Sequence, residues 1–408
     1  MFRDVTVLTL GTGLAQLINI GSAPLLSRLY SPKDFGILAI FLAIVGISST
    51  LVTLRYETAI LIPRSKKESA NIVAMSIFLA IVGSVLLMLI SLVLSDTMSE
   101  YFGISEIKYW LPIIFIVAGL SAIITTIQGW LNREKKYFNI IAIRITQNIF
   151  IVAISIICFY FGSMSGLILS HIISLSLTFI IALYFIRNLT ELIDLNKIKI
   201  NFQTYSNAPK YLLPTAILDT ISIQLPILMI ASLFGERITG QFSMAWKILA
   251  VPMTLIGVSV GQVFIQKFSE CRNDIKASKE LVKKTWISLV TIGLLPTTII
   301  MTLGEEFFTL LLGEKWYESG TIASILAPMT LMMLISSPTS GVYIILGMQK
   351  ISLFFGVAVF LYRPACLIYG YYIDNLYIGL KIWVILEILQ ITVYQYLSWN
   401  GIKKGSVN

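Results

Sequence analysis

Six charged side chains lie in predominantly apolar stretches: Arg144, Asp219, Lys247, Arg363, Lys381 and Glu387. Placing one such group at the centre of a bilayer costs about 2.5–3.5 kcal/mol on insertion scales, so these groups face a bundle interior or a wet cavity. Four are positive and two negative. If Asp219 and Glu387 each neutralise one base, two cations stay uncompensated, and surplus positive charge in a cavity favours an anionic ligand. Arg363 lies deepest, in "FLYRPACLIYG" (360–370), where Pro364 removes a helix hydrogen bond and predicts a bend beside a cavity. Each group also has a structural reading. Lys381 and Arg144 sit near enough to helix ends to snorkel. Lys247 is positioned to pair with Asp219 on the neighbouring helix, and Arg363 with Glu387.

Uncharged polar residues join them. Thr12, Gln16 and Asn19 recur at spacings of four and three, which draws a polar stripe along one helix. Gln147 and Asn148 follow Arg144, and Ser222 and Gln224 follow Asp219. Such a stripe serves either interhelical hydrogen bonding or the lining of a cavity.

The elements that hold these residues are long apolar helices. The chain has 408 residues, of which 57% are hydrophobic and 12% charged. Soluble domains carry about 25% charged residues, and the mean hydropathy of +0.86 points the same way. Apolar runs bounded by charge or turn residues predict twelve spans: 5–27, 35–54, 70–94, 109–131, 138–161, 165–186, 211–234, 240–265, 286–304, 319–346, 351–372 and 376–398. The first is read as an uncleaved helix rather than a signal peptide.

With the N-terminus in the cytoplasm and alternating spans, twenty-one of the thirty Lys and Arg residues fall in cytoplasmic segments and five outside. That bias places both termini inside, and it accounts for the net charge of +9 without a nucleic-acid partner. The expected class is an all-α integral membrane protein. A bundle over 1–188, a cytoplasmic linker over 189–210 and a second bundle over 211–408 give six helices on each side. Residues 29–36, "LYSPKDFG", and 233–240, "LFGERITG", share Leu, an aromatic, a base and Gly at matching positions, 204 residues apart. Both join the first two helices of their bundles, as in a parallel repeat.

Several chemistries are excluded. Cys158, Cys271 and Cys366 are widely separated and His171 is the sole histidine, so no metal or cofactor site is expected. "GERITG" (235–240) opens like a phosphate-binding loop, but Gln241 and Phe242 stand where Lys and Ser or Thr are needed. The expected external loops are too short to fold a catalytic domain, so the chain is not expected to be an enzyme.

"LLSRLYSPKDFGILAIF" (25–41) and "RYETAILIPRSKKESANIV" (55–73) resemble the N-terminal part of bacterial polysaccharide flippases. These are the O-antigen, Wzx-type translocases of the multidrug/oligosaccharidyl-lipid/polysaccharide exporter superfamily. The resemblance implies two pseudo-symmetric six-helix bundles around a central cavity that opens alternately to each side of the bacterial inner membrane. It implies cargo of undecaprenyl diphosphate bearing an oligosaccharide repeat unit, and as partners membrane lipids and the polysaccharide polymerase machinery. Joined to the charge reading, it makes Arg363, Arg144, Lys247 and Lys381 candidate cargo-binding cations, since guanidinium groups suit phosphate. Asp219 and Glu387 are candidates for ion coupling or charge pairing, and Gln16, Asn19, Asn148 and Gln224 for the cavity lining. Arg55 and Glu57, at the inner mouth of the second helix, are read as a gate or anchor. The rival readings are a cation-coupled multidrug exporter of the same fold, which would favour acidic cavity residues, and a membrane polysaccharide polymerase, which would need a larger external loop. A channel would need a pore-loop signature that is not evident.

Overall fold

The structure, a computed structural model, describes residues 2–102, 105–163 and 165–404. Among these residues there are helices and turns and no strand. The helices are α1 (Phe2–Gly21), α2 (Ala23–Leu29), α3 (Pro32–Val52), α4 (Lys66–Phe102), α5 (Leu111–Arg133), α6 (Tyr137–Tyr160), α7 (Gly166–Phe185) and α8 (Leu195–Thr204). They continue with α9 (Leu213–Phe234), α10 (Glu236–Leu249), α11 (Val258–Cys271), α12 (Ile275–Leu312), α13 (Tyr317–Thr339), α14 (Gly341–Ile345), α15 (Gln349–Tyr372) and α16 (Leu376–Lys404).

Among the described residues, ten helical segments are long and apolar enough to cross a membrane. The other two expected spans, 5–27 and 240–265, are helical but interrupted. In the first, α1 stops at Gly21 and α2 restarts at Ala23 with Pro24 in its first turn. In the second, α10 ends at Leu249 and a π-helical turn over Met253–Gly257 precedes α11. Pro252 has no amide to donate, and the wider turn absorbs the mismatch. A second π-helical turn, Ala208–Leu212, leads into α9 and contains Pro209.

Two charged stretches between the apolar spans also contain helix. The segment 187–210 contains a 3-10 turn, Arg187–Leu192, and the helix α8. Most of 267–285 is also helical, because α12 starts at Ile275, where the Asp274 carboxylate caps the amides of Lys276 and Ala277 at 2.9 and 3.0 Å. Pro364 lies within α15, which is continuous from Gln349 to Tyr372.

The chain divides into two compact units, Met1–Gly240 and Gln241–Asn408. The first includes α9, which lies along α3. There Gly46 leaves room for the Gln224 amide, and the hydroxyls of Thr50 and Thr220 meet at 3.3 Å. By compactness this division falls after Gly240. In the second unit α12 packs on α13, α15 on α16, and α13 on α16.

The two repeat stretches meet. Ser31 opens α3 with a capping box: its hydroxyl accepts from the Asp34 amide, and Asp34 Oδ2 accepts from the Ser31 amide at 2.8 Å. One turn on, a Cβ added to Gly36 would overlap the Glu236 carbonyl, and a Cβ added to Gly240 would overlap the Pro32 carbonyl. Pro32 and Glu236 are themselves 204 residues apart, as are Gly36 and Gly240. The contact is thus reciprocal, position for position, and a Lys33–Glu236 ion pair at 3.4 Å flanks it.

Candidate functional site

Arg363 on α15 and Glu387 on α16 form a two-pronged ion pair, with Nη2–Oε1 at 2.6 Å and Nε–Oε2 at 3.0 Å. The side chains are 13% and 4% exposed. On α16, Trp383 stands four residues before Glu387, hence on the same helix face. Its indole donates to Oε2 at 2.9 Å, and the Arg363 guanidinium lies 5.5 Å from its ring. The Tyr362 hydroxyl sits 2.8 Å from Oε2 and 2.9 Å from Gln390 Oε1. Glu387 thus has four donors within hydrogen-bond distance, three at Oε2 and one at Oε1, as suits an ionised carboxylate. A cavity of about 400 Å³ borders this cluster, with Glu387 and Gln390 on its wall together with Ser336, Ser352, Phe355 and Tyr394.

Arg144 is held differently. Its Nη1 donates to Thr12 Oγ1 at 2.7 Å, and Nε and Nη2 both donate to Gln128 Oε1 at 3.3 Å. Asn148 donates to the Arg144 carbonyl at 2.9 Å, and Asn19 donates to Asn148 Oδ1 at 3.1 Å. These groups come from α1, α5 and α6. Gly11 lets α1 and α6 close on each other, since a Cβ there would strike Ile141. Every hydrogen-bond partner of the guanidinium among the described residues is neutral, so its charge stays uncompensated while its geometry is fixed. The sequence reading omitted Gln128. It and Arg144 are equidistant from Lys136 in the turn between α5 and α6, the spacing at which antiparallel helices face each other.

The remaining expected residues are not gathered into these clusters. Asp219 on α9 and Lys381 on α16 are exposed, while Gln16 on α1 and Lys247 on α10 are half-buried. Glu387 does neutralise Arg363, but Asp219 neutralises no base among the described residues.

Arg55 and Glu57 flank the fully buried Tyr56 and pair with each other at 3.3 Å. Leu54 and Arg55 adopt left-handed backbone, with φ of 50° and 64°, which turns the chain sharply after α3. Tyr56 stacks on Phe202 and donates to its carbonyl at 2.9 Å, and burial pushes the phenol up. Nearby, Tyr205 donates to Glu68 Oε1 at 2.8 Å; burial and that carboxylate push it up to about 12. Asn201 donates to the Glu68 carbonyl at 3.3 Å. The mouth of α3 is thereby tied to α8 and to the start of α4.

A family described as "Polysaccharide biosynthesis protein" matches residues 25–321. The chain is 21% identical over 375 residues to the lipopolysaccharide biosynthesis protein WzxC of Escherichia coli (strain K12), covering 90% of this chain and 73% of the relative. Among solved structures, it is similar to a multidrug resistance MATE family transporter of the MOP superfamily in its inward-facing conformation. The TM-score there is 0.71, at 15% identity, over 97% of this chain and 96% of that one. It is also similar to the lipid II flippase MurJ in an inward closed conformation, with a TM-score of 0.69 at 15% identity over 98% and 91% of the two chains. At that identity these two likenesses establish the fold. The expected kinship with Wzx-type flippases and the multi-pass membrane class are both borne out, and the chain belongs to the polysaccharide biosynthesis protein family.

Proposed function

We propose that this protein is a flippase of the inner membrane. It moves oligosaccharide repeat units carried on undecaprenyl diphosphate from the cytoplasmic to the periplasmic leaflet by alternating access. Both termini lie in the cytoplasm, and two six-helix bundles enclose the path. The work is transport, with no covalent step. The observation that carries the reading is Arg144, a cation inside an apolar span that keeps its charge while Thr12 and Gln128 aim its donors. A lone charge is costly there, and an anionic diphosphate is the group that best recovers that cost. Lys247 on α10 is a further cation in an apolar span without an acidic partner among the described residues. Asn19, Asn148, Gln16 and Gln224 supply hydrogen bonds to sugar hydroxyls. Arg363 and Glu387 brace α15 against α16 beside the cavity of the second unit, and Arg55 and Glu57 anchor the cytoplasmic mouth.

The test is surface glycan in a strain deleted for this gene and complemented at matched membrane levels with wild type, Arg144→Lys, Arg144→Gln and Arg144→Glu. The Gln and Glu variants are expected to lose surface glycan and accumulate lipid-linked repeat units inside, with partial rescue by Lys. Normal display by Arg144→Gln would overturn the role of this cation. A deletion strain that still shows single repeat units outside and lacks only long chains would identify a polymerase instead.

A further inference from the structure

The ends of α4, α5, α6 and α7 enclose a second pocket, of about 240 Å³ and separate from both clusters above. The Lys and Arg distribution assigns this face to the cytoplasm. Lys66, Lys136 and Arg187 line it, against one acid, Glu134. Lys66 already holds Glu134 at 2.5 Å, which leaves the charge of Lys136 and Arg187 unopposed within the lining. Both are exposed. Lys136 immediately precedes α6, where no side chain caps the first turn, so the positive end of that helix dipole adds to the same wall. Lys135, with φ of 56°, makes the tight turn that sets Lys136 there.

The floor and flank are aromatic. Trp130 is 4% exposed and lies 5.8 Å from the Lys66 ammonium, and the Arg187 guanidinium sits 4.7 Å over the Tyr184 ring. Two residues after Lys136, Phe138 is 73% exposed, and Ile180, one turn back from Tyr184, is 62% exposed. The cations thus stand at the ends of helices whose adjoining turns carry exposed apolar side chains. A soluble phosphate compound needs only the cations. A lipid needs both, with its headgroup in the pocket and its chains along the exposed side chains of α6 and α7.

We propose that this pocket is a binding site for the phosphate headgroup of an anionic phospholipid, independent of the cargo path and of the flippase reading, and resting only on the membrane-spanning fold. The test is native mass spectrometry of the full chain with phosphatidylglycerol and phosphatidylethanolamine. The variants are Lys136→Ala/Arg187→Ala, the charge-keeping Lys136→Arg/Arg187→Lys, and Lys267→Ala/Lys283→Ala as a control at exposed bases elsewhere. Wild type is expected to retain phosphatidylglycerol preferentially. The pocket double is expected to lose about fivefold per cation removed, while the charge-keeping and control doubles retain it. Equal retention of the two lipids by wild type, or equal losses in the pocket and control doubles, would overturn the site. Displacement of phosphatidylglycerol by inorganic diphosphate, at concentrations where glycerol phosphate has no effect, would overturn the lipid assignment and make this a docking point for a diphosphate.

Discussion

Replacing Glu387 by Gln leaves the shape of the side chain and removes its charge. Arg363 is then an unpaired cation in a site where only 13% of its side chain is exposed. Breaking a buried ion pair from one side costs about 3–5 kcal/mol. Trp383 and Tyr362 keep one carbonyl oxygen between them, so the loss falls mainly on the two Arg363 contacts at 2.6 and 3.0 Å. Unfolding entropy of about 2.1 cal/mol/K per residue over 408 residues gives about 0.86 kcal/mol/K, so about 4 kcal/mol lowers Tm by about 5 °C. The double variant Arg363→Met/Glu387→Leu removes both charges and fills the space with apolar atoms, and is expected to melt near or above wild type. The assay is thermal unfolding of the purified chain in one detergent at one pH. A single variant that melts within about 1 °C of wild type, or a double variant at least as unstable as the single, would refute the argument that this pair is a desolvated brace.

The reciprocal glycine contact predicts that Gly36→Ala and Gly240→Ala each cost about 1–3 kcal/mol of stability and reduce glycan display at equal membrane levels, because each new Cβ meets a backbone carbonyl. Gly21→Ala, with nothing within 4 Å of its added Cβ, is expected to leave display unchanged, and normal display by Gly36→Ala would sink the packing argument. Tyr205 is expected to ionise near 12 when followed by phenolate absorbance. A phenol whose pKa is raised by folding supports the fold below its ordinary value of 10.0, and that support is lost as pH climbs through about 12. Tyr205→Phe should remove this alkaline loss while costing about 1 kcal/mol at neutral pH. An unchanged alkaline midpoint in the variant would show that another group controls it.

The long apolar runs made the helix order readable, because a bilayer demands a length and hydrophobicity that few other structures need. The breaks were less readable. Pro252 signals an interruption, but only the backbone shows it resolved as a π-helical turn rather than a helix end. The amphipathic α8 was masked by the charges of 187–210, which look like an ordinary loop. At the site, Arg363 and Glu387 were recognisable as partners from their helices, whereas the two-pronged geometry of the pair and its Trp383 and Tyr362 neighbours needed side-chain distances. Asp219 looked equivalent to Glu387 in sequence, yet it lies exposed on α9. Gln128 was hidden near the polar end of α5, although its distance from the turn matches that of Arg144.

The contact between Gly36 and Gly240 has the form of a homodimer interface carried within one polypeptide. In a dimer of identical chains, one codon would serve both positions, and every change would occur twice. Here the two glycines are encoded separately, and so are their surroundings. The ion pair from Lys33 to Glu236 has no mirror image, because the position matching Glu236 is Pro32, which carries no charge. Covalent linkage thus lets a self-complementary contact become lopsided one residue at a time.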